Sequence, residues 1–118
     1  MTASEIAYLF AIKELAAGGD GGARCKFVAE KLHFSRASAS RALDKLCVKR
    51  MIRRTAHNGF ALTEAGAAAV ETYDKCVRAV QGELIARFGC RESAARADAL
   101  RVVCALSEEN LKKLAQEE

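Results

Sequence analysis

Basic side chains concentrate in one stretch of the sequence. From Arg24 to His57 there are ten Lys or Arg residues against two acidic residues, Glu30 and Asp44. This stretch has a formal charge of +8, whereas the rest of the chain carries −4, which gives the overall charge of +4. A surface that neutralises phosphates and releases their counterions needs such a concentration of positive charge. The stretch suits the binding of nucleic acid, although a solvated basic face has the same composition.

Five cysteines are the other residues with distinctive chemistry. Their number is odd and no Cys-x-x-Cys or Cys/His cluster groups them, which is typical of free thiols in a reducing compartment. The sequence has no His-Glu-x-x-His motif, no Ser/His/Asp order and no glycine-rich phosphate loop followed by Lys and Ser or Thr. We therefore expect a protein that is not an enzyme.

Composition indicates one small, mainly helical unit. The 118 residues are 51% hydrophobic and 29% charged, with eight Gly and no Pro, which argues against a chain of turns and short strands. No run of about eighteen apolar residues occurs, and no basic segment precedes an apolar core at the N-terminus. We expect a cytoplasmic protein that does not associate with membranes.

Apolar spacing predicts three helices in the first half of the chain. The first runs from Ser4 to Ala17 and ends before a flexible loop at Gly18 to Gly22. Phe27, Val28 and Leu32 mark a short second helix of about two and a half turns. Ser35 is placed to cap a third helix that extends to Arg50.

A β-hairpin is predicted next. Met51 to Thr55 and Phe60 to Leu62 flank a turn that contains Asn58-Gly59, and Asn-Gly between apolar or β-branched residues is a strong hairpin signal. Alternatively, the Asn58-Gly59 pair only forms the turn and has no binding role.

Three further helices are predicted in the second half, at Glu64–Phe88, Glu92–Ala105 and Glu108–Ala115. Gly89 is expected to end the first of them, with Thr63 and Ser107 as caps. The long helix carries an apolar stripe that predicts a packing or dimer face. The candidate dimer contacts are Tyr73, Val77, Val80 and Leu84.

This order of elements is that of a winged helix-turn-helix followed by a helical dimerisation region. The expected fold is mainly α with a small β-hairpin wing, divided into a DNA-binding domain at residues 1–63 and a dimerisation region at 64–118. The third helix would enter the major groove of DNA and the wing would follow its backbone. The candidate DNA contacts are Ser35, Arg36, Ala37, Ser38, Ser40, Arg41, Lys45, Arg53, Arg54, His57 and Asn58.

Several motifs together resemble one family. They are Tyr8-Leu9-x-x-Ile12-x-x-Leu15, Val28-Ala29-Glu30-Lys31-Leu32, Ser35-x-x-Ser38-x-Ser40, Leu43-x-x-Leu46, Leu62-Thr63-Glu64-Ala65-Gly66 and Ala105-Leu106-Ser107-Glu108-Glu109. In this order, over roughly Glu5 to Leu114, the chain resembles the iron- and manganese-dependent repressors of the DtxR/MntR type. The resemblance implies a homodimeric transcriptional repressor that reads a palindromic operator in double-stranded DNA.

The resemblance also implies a Mn²⁺ or Fe²⁺ site, but its ligand positions are not retained. They correspond here to Ala7, Phe10, Cys76 or Val77, Leu100, Val103 and Cys104. Manganese and ferrous ions need oxygen and nitrogen donors, which this set lacks. We therefore expect no such metal, with Cys76 and Cys104 as the candidates for a soft-metal or redox site. The alternatives are a MarR-like regulator, which shares a winged helix and a similar Leu-Thr-x-x-Gly ending, a regulator that senses redox state or a soft metal, and a winged-helix module that binds proteins.

Overall fold

The computed structural model describes residues 1–17 and 21–116. Its elements are α1 (Ala3–Ala16), α2 (Cys25–Leu32), α3 (Arg36–Val48), β1 (Ile52–Arg54), β2 (Phe60–Leu62), α4 (Glu64–Phe88), α5 (Glu92–Ala105) and α6 (Glu108–Gln116). The predicted fold class, mainly α with a two-stranded hairpin, is confirmed. Gly18 to Asp20 of the predicted loop lie outside the described residues. Within the described ranges, no helix is long and apolar enough to cross a membrane.

The chain divides into two compact units, and the division falls inside α4 rather than at its first residue. One unit is Ser4–Val70, and the other comprises Met1–Ala3 and Glu71–Glu118.

The unit at residues 4–70 is built around one apolar core. Its helices contribute side chains at helical spacing, and the hairpin adds one from each strand. The fully or almost fully buried members are Ile6, Leu9, Ile12, Val28, Leu43, Leu46, Ile52, Phe60 and Val70. This core holds the exposed side of α3 and the wing in fixed positions.

The start of α4 is tied to the loop that precedes the hairpin. The Thr63 hydroxyl accepts a hydrogen bond from the Gly66 N–H at 3.1 Å and donates one to the Arg50 carbonyl at 2.6 Å. Gly66 is buried, and a Cβ there would overlap the Met51 carbonyl oxygen. Glycine is required at this position because the helix passes against backbone.

The unit at residues 71–116 packs α5 and α6 on the second half of α4. Cys76 and Val77 of α4 form a buried cluster with Ala99 and Val103 of α5. Partly buried apolar side chains, including Leu111 and others of α6, cover that cluster. The predicted ends of these helices are confirmed: Gly89 has φ +64°, and the Ser107 hydroxyl accepts from the Asn110 N–H at 3.2 Å.

Candidate nucleic-acid interface

Helix α3 presents one polar face and one buried face. Ser35 is its N-cap, since its hydroxyl accepts from the Ser38 N–H at 3.1 Å, as predicted. Ala39, Leu43 and Leu46 are buried, whereas the opposite face is open to solvent. That open face consists of Ala37, Ser40, Arg41, Asp44 and Lys45. Small side chains at two of these positions leave room for close approach to another surface.

The predicted DNA contacts are exposed, with one exception. Ser38 is half-buried, and its hydroxyl lies 3.0 Å from the Ser35 hydroxyl, which donates to it. Ser38 is therefore engaged in the cap of α3. Each of the other candidate side chains, from Ser35 to Asn58, reaches solvent.

The wing is an antiparallel ribbon in which Arg54 pairs with Phe60 and Arg53 with Ala61. The residue that follows the predicted loop joins it: Ala23 and Phe60 exchange backbone hydrogen bonds of 2.8 and 2.7 Å. The Thr55 hydroxyl also donates to the Gly21 carbonyl at 2.7 Å. These bonds fix the wing against the segment that leads into α2.

Arg54 lies between the wing and α3. Its guanidinium donates to the Asp44 carboxylate at 2.6 Å and lies 5.1 Å from the centre of the Phe60 ring. Both partners of the ion pair are more than half exposed, so the pair adds little stability. The pair instead orients the wing relative to α3, because Arg54 lies on β1 and Asp44 on α3. Arg53, the preceding residue of the strand, points to the opposite face of the ribbon.

Acidic side chains neutralise only part of the basic stretch. Lys31 pairs with Glu14 at 2.7 Å, Lys49 pairs with Glu5, and Arg54 pairs with Asp44. The other seven cations of the stretch make no ion pair with any acidic residue that the structure describes, and these are Arg24, Lys26, Arg36, Arg41, Lys45, Arg50 and Arg53. Sequence reasoning counted Arg24 and Lys26 in the charge but did not select them as contacts.

The candidate dimer contacts differ in how far each side chain is buried within its own chain. Val77 is completely buried in the core of its own unit, so the prediction that it is available to a second chain is wrong. The physical reason is that α5 and α6 cover this part of the stripe. Tyr73 and Val80 are half-buried beside that core, and Leu84 is half-buried further along α4. Towards the end of α4 the apolar stripe of this helix becomes exposed to solvent, and Phe88 is 74% exposed.

The residues at the predicted metal positions do not fit a Mn²⁺ or Fe²⁺ ion. Val103 is buried in an apolar cluster, and Leu100 packs against that cluster. The Cys76 thiol lies in the same cluster and donates to the Leu111 carbonyl at 3.3 Å. Among residues 1–17 and 21–116, no group of three or more His, Cys, Asp or Glu side chains could hold a metal ion.

Burial also lowers the reactivity of the two thiols that are candidates for a redox site, Cys76 and Cys104. Burial raises the pKa of the Cys104 thiol, so less of it is thiolate at neutral pH and it is a weaker nucleophile. Cys76 is fully buried. We expect iodoacetamide at pH 7.5 to modify both at least about tenfold more slowly in the native protein than in the urea-unfolded chain. Mass spectrometry of timed digests measures both rates, and equal rates in the two states would contradict this.

No protein-family model matches the chain, and no curated protein matches it.

Solved structures do match. A hypothetical protein from Sulfolobus solfataricus is 22% identical with a TM-score of 0.77, and the match covers 98% of this chain and 88% of that one. The metal-dependent transcriptional regulator MtsR is 24% identical with a TM-score of 0.82, over 98% of this chain and 54% of MtsR. The manganese regulator SloR is 21% identical with a TM-score of 0.79, over 98% and 54%.

The chain thus spans about half the length of MtsR and SloR. Both of those proteins are regulators. At these identities the likeness concerns the fold. The chain has the winged-helix fold that it shares with these metal-dependent regulators.

Proposed function

We propose that this chain is a cytoplasmic, non-enzymatic transcriptional repressor that binds double-stranded DNA. The observation that carries the proposal is the position of the unneutralised cations. Arg36, Arg41 and Lys45 lie on α3, and Arg53 lies on the wing. In a winged helix these are the two elements that meet DNA.

The open face of α3 has the chemistry for the major groove. The Arg41 guanidinium can donate two hydrogen bonds to the O6 and N7 atoms of guanine. Ala37 and Ser40 are small enough to let the helix lie deep in the groove. Lys45 and the wing would contact the phosphate backbone, with Arg54 holding the wing in place through Asp44.

Two copies would read a palindrome, because two-fold protein symmetry matches two half-sites. We assign DNA binding to residues 1–63 and dimerisation to 64–118. An apolar groove of about 540 Å³ supports this assignment. Val80, Leu84 and Phe88 line it on α4, and Leu106 and Leu114 line its other side. A second copy that covers this groove would bury the exposed ring of Phe88.

Metal independence is part of the proposal. It is supported by the donor set, in which Ala7, Phe10, Leu100 and Val103 offer no ligand atoms for a hard or borderline divalent ion. The repressor would then bind DNA without Mn²⁺ or Fe²⁺.

Selection from a randomised duplex pool tests the proposal. We expect enrichment of an inverted repeat with half-site centres about 10 base pairs or a multiple of that apart. A pool that enriches no sequence would contradict the proposal.

Arg41→Ala is expected to weaken binding to the selected operator by about 1 to 3 kcal/mol and to relax preference at one base position. The reason is the loss of a bidentate contact with a base. Fluorescence anisotropy with operator and random duplexes measures the operator affinity and the preference for the operator over random DNA. An unchanged ratio between the two affinities would show that Arg41 reads no base.

Arg53→Ala is expected to weaken binding to operator and random DNA equally. Removing one phosphate contact should reduce the slope of log affinity against log salt concentration by about one. Titrations at several salt concentrations measure this slope. Lys31→Gln is the matched control, since Lys31 is paired with Glu14, and an equal change of slope there would contradict the assignment.

A further inference from the structure

A pocket of about 370 Å³ opens where α2 begins, beside the start of α3 and the tip of the wing. Arg24, Lys26 and Arg36 line its basic side, and His57 and Asn58 line it from the wing. No acidic residue lines it among the part of the chain that the structure describes.

The three cations around the pocket are not neutralised by described acidic residues. Lys31, at the other end of α2, differs because Glu14 holds it at 2.7 Å. The two lysines of α2 therefore have different surroundings. Lys31 is paired within the fold, whereas Lys26 is left at the pocket with Arg24 and Arg36.

The backbone adds donors on the same side. Helix α2 starts at Cys25, and the side chain of its N-cap residue Arg24 makes no capping hydrogen bond. In the first turn the Phe27 N–H donates to the Arg24 carbonyl at 3.0 Å, so the N–H groups of Cys25 and Lys26 are the donors left for a ligand. This end of the helix also carries a partial positive charge. Helix α3 differs, because Ser35 caps it.

We propose that this pocket binds a phosphate group. Two guanidinium groups and an ammonium group line the pocket together with the N–H donors at the start of α2, which suits a group with several anionic oxygens. The exposed ring of Phe27 forms part of the wall, so the pocket has space for a substituent on the phosphate.

The phosphate has two possible sources with the same chemistry. One is the DNA backbone, and for that source the inference rests on the function proposed above. The other is a free phosphate ester, which would compete with DNA because the pocket adjoins α3 and the wing.

The first arm of the test needs no DNA. Inorganic phosphate is titrated into the full chain, with sodium chloride at matched ionic strength as reference, while amide NMR signals are followed. We expect saturable shifts at Cys25, Lys26, Phe27 and His57. Arg24→Gln/Lys26→Gln should abolish them, whereas Lys31→Gln should keep them. Shifts that do not saturate, that chloride reproduces, or that survive in the double variant would overturn the proposal.

The second arm distinguishes the sources, using random duplex DNA and phenyl phosphate. If the pocket holds the DNA backbone, the double variant lowers DNA affinity about tenfold relative to Lys31→Gln, and phosphate displaces DNA. If it holds a free ester, phenyl phosphate binds more tightly than inorganic phosphate, and the double variant matches Lys31→Gln in DNA affinity. A chain that binds no DNA but passes the first arm would refute the proposed function and leave the pocket standing.

Discussion

Leu84→Glu is expected to turn the proposed dimer into a monomer and to lower operator affinity by about 10²- to 10⁴-fold. Leu84 lines the apolar groove with Val80 and Phe88, and a carboxylate there would have to be removed from water between two chains. A monomer also loses the simultaneous engagement of two half-sites. Sedimentation at micromolar concentration measures the mass, and anisotropy measures the affinity.

Two further variants make this result specific. Phe88→Glu should have the same effect without disturbing the monomer, because Phe88 is 74% exposed. Val48→Glu is the control for the mass alone, since Val48 is an apolar residue that is 83% exposed on α3, away from the groove. A dimer that persists in both Leu84→Glu and Phe88→Glu would refute the proposed interface.

Leu43→Ala is expected to destabilise the protein by about 2 to 5 kcal/mol. Leu43 is completely buried on the inner face of α3, so truncation leaves a cavity behind the helix that carries Arg41. Urea denaturation followed by circular dichroism measures the change in the free energy of unfolding.

Leu43→Met provides the comparison, because a side chain of similar volume should cost less than about 1.5 kcal/mol. Equal losses for the two variants would mean that cavity formation behind α3 does not set the stability of the unit.

Local sequence patterns predicted the helices and the wing well. The caps at Ser35, Thr63 and Ser107 and the stop at Gly89 are short-range features, in which one side chain or one backbone angle decides the end of a helix. Helical periodicity places Ala39, Leu43, Leu46 and Arg50 on one stripe. The first three are the buried face of α3, whereas Arg50 lies beyond the end of the helix and is exposed.

Contacts between distant segments escaped prediction. The bridge between Ala23 and Phe60 joins backbone groups, which no side-chain pattern marks. The pair of Arg54 with Asp44 depends on how the wing folds back on α3. The burial of Val77 depends on α5 and α6, because an apolar stripe looks the same whether its own chain or a second copy covers it.

The pocket beside α2 illustrates the same limit. Arg24 and Lys26 precede the predicted recognition helix by about ten residues, and only the fold brings them next to Arg36 and the wing. Their positive charge could be predicted from the sequence, but the pocket that they line could not.

The central claim, selective DNA binding without a metal, is tested most directly by one titration. The reduced, metal-stripped protein is titrated against the selected operator and random duplex DNA, with and without manganese, ferrous iron or zinc. We expect tight, selective binding that no metal changes. Binding that appears only with one of these metals, or no binding under any condition, would contradict it.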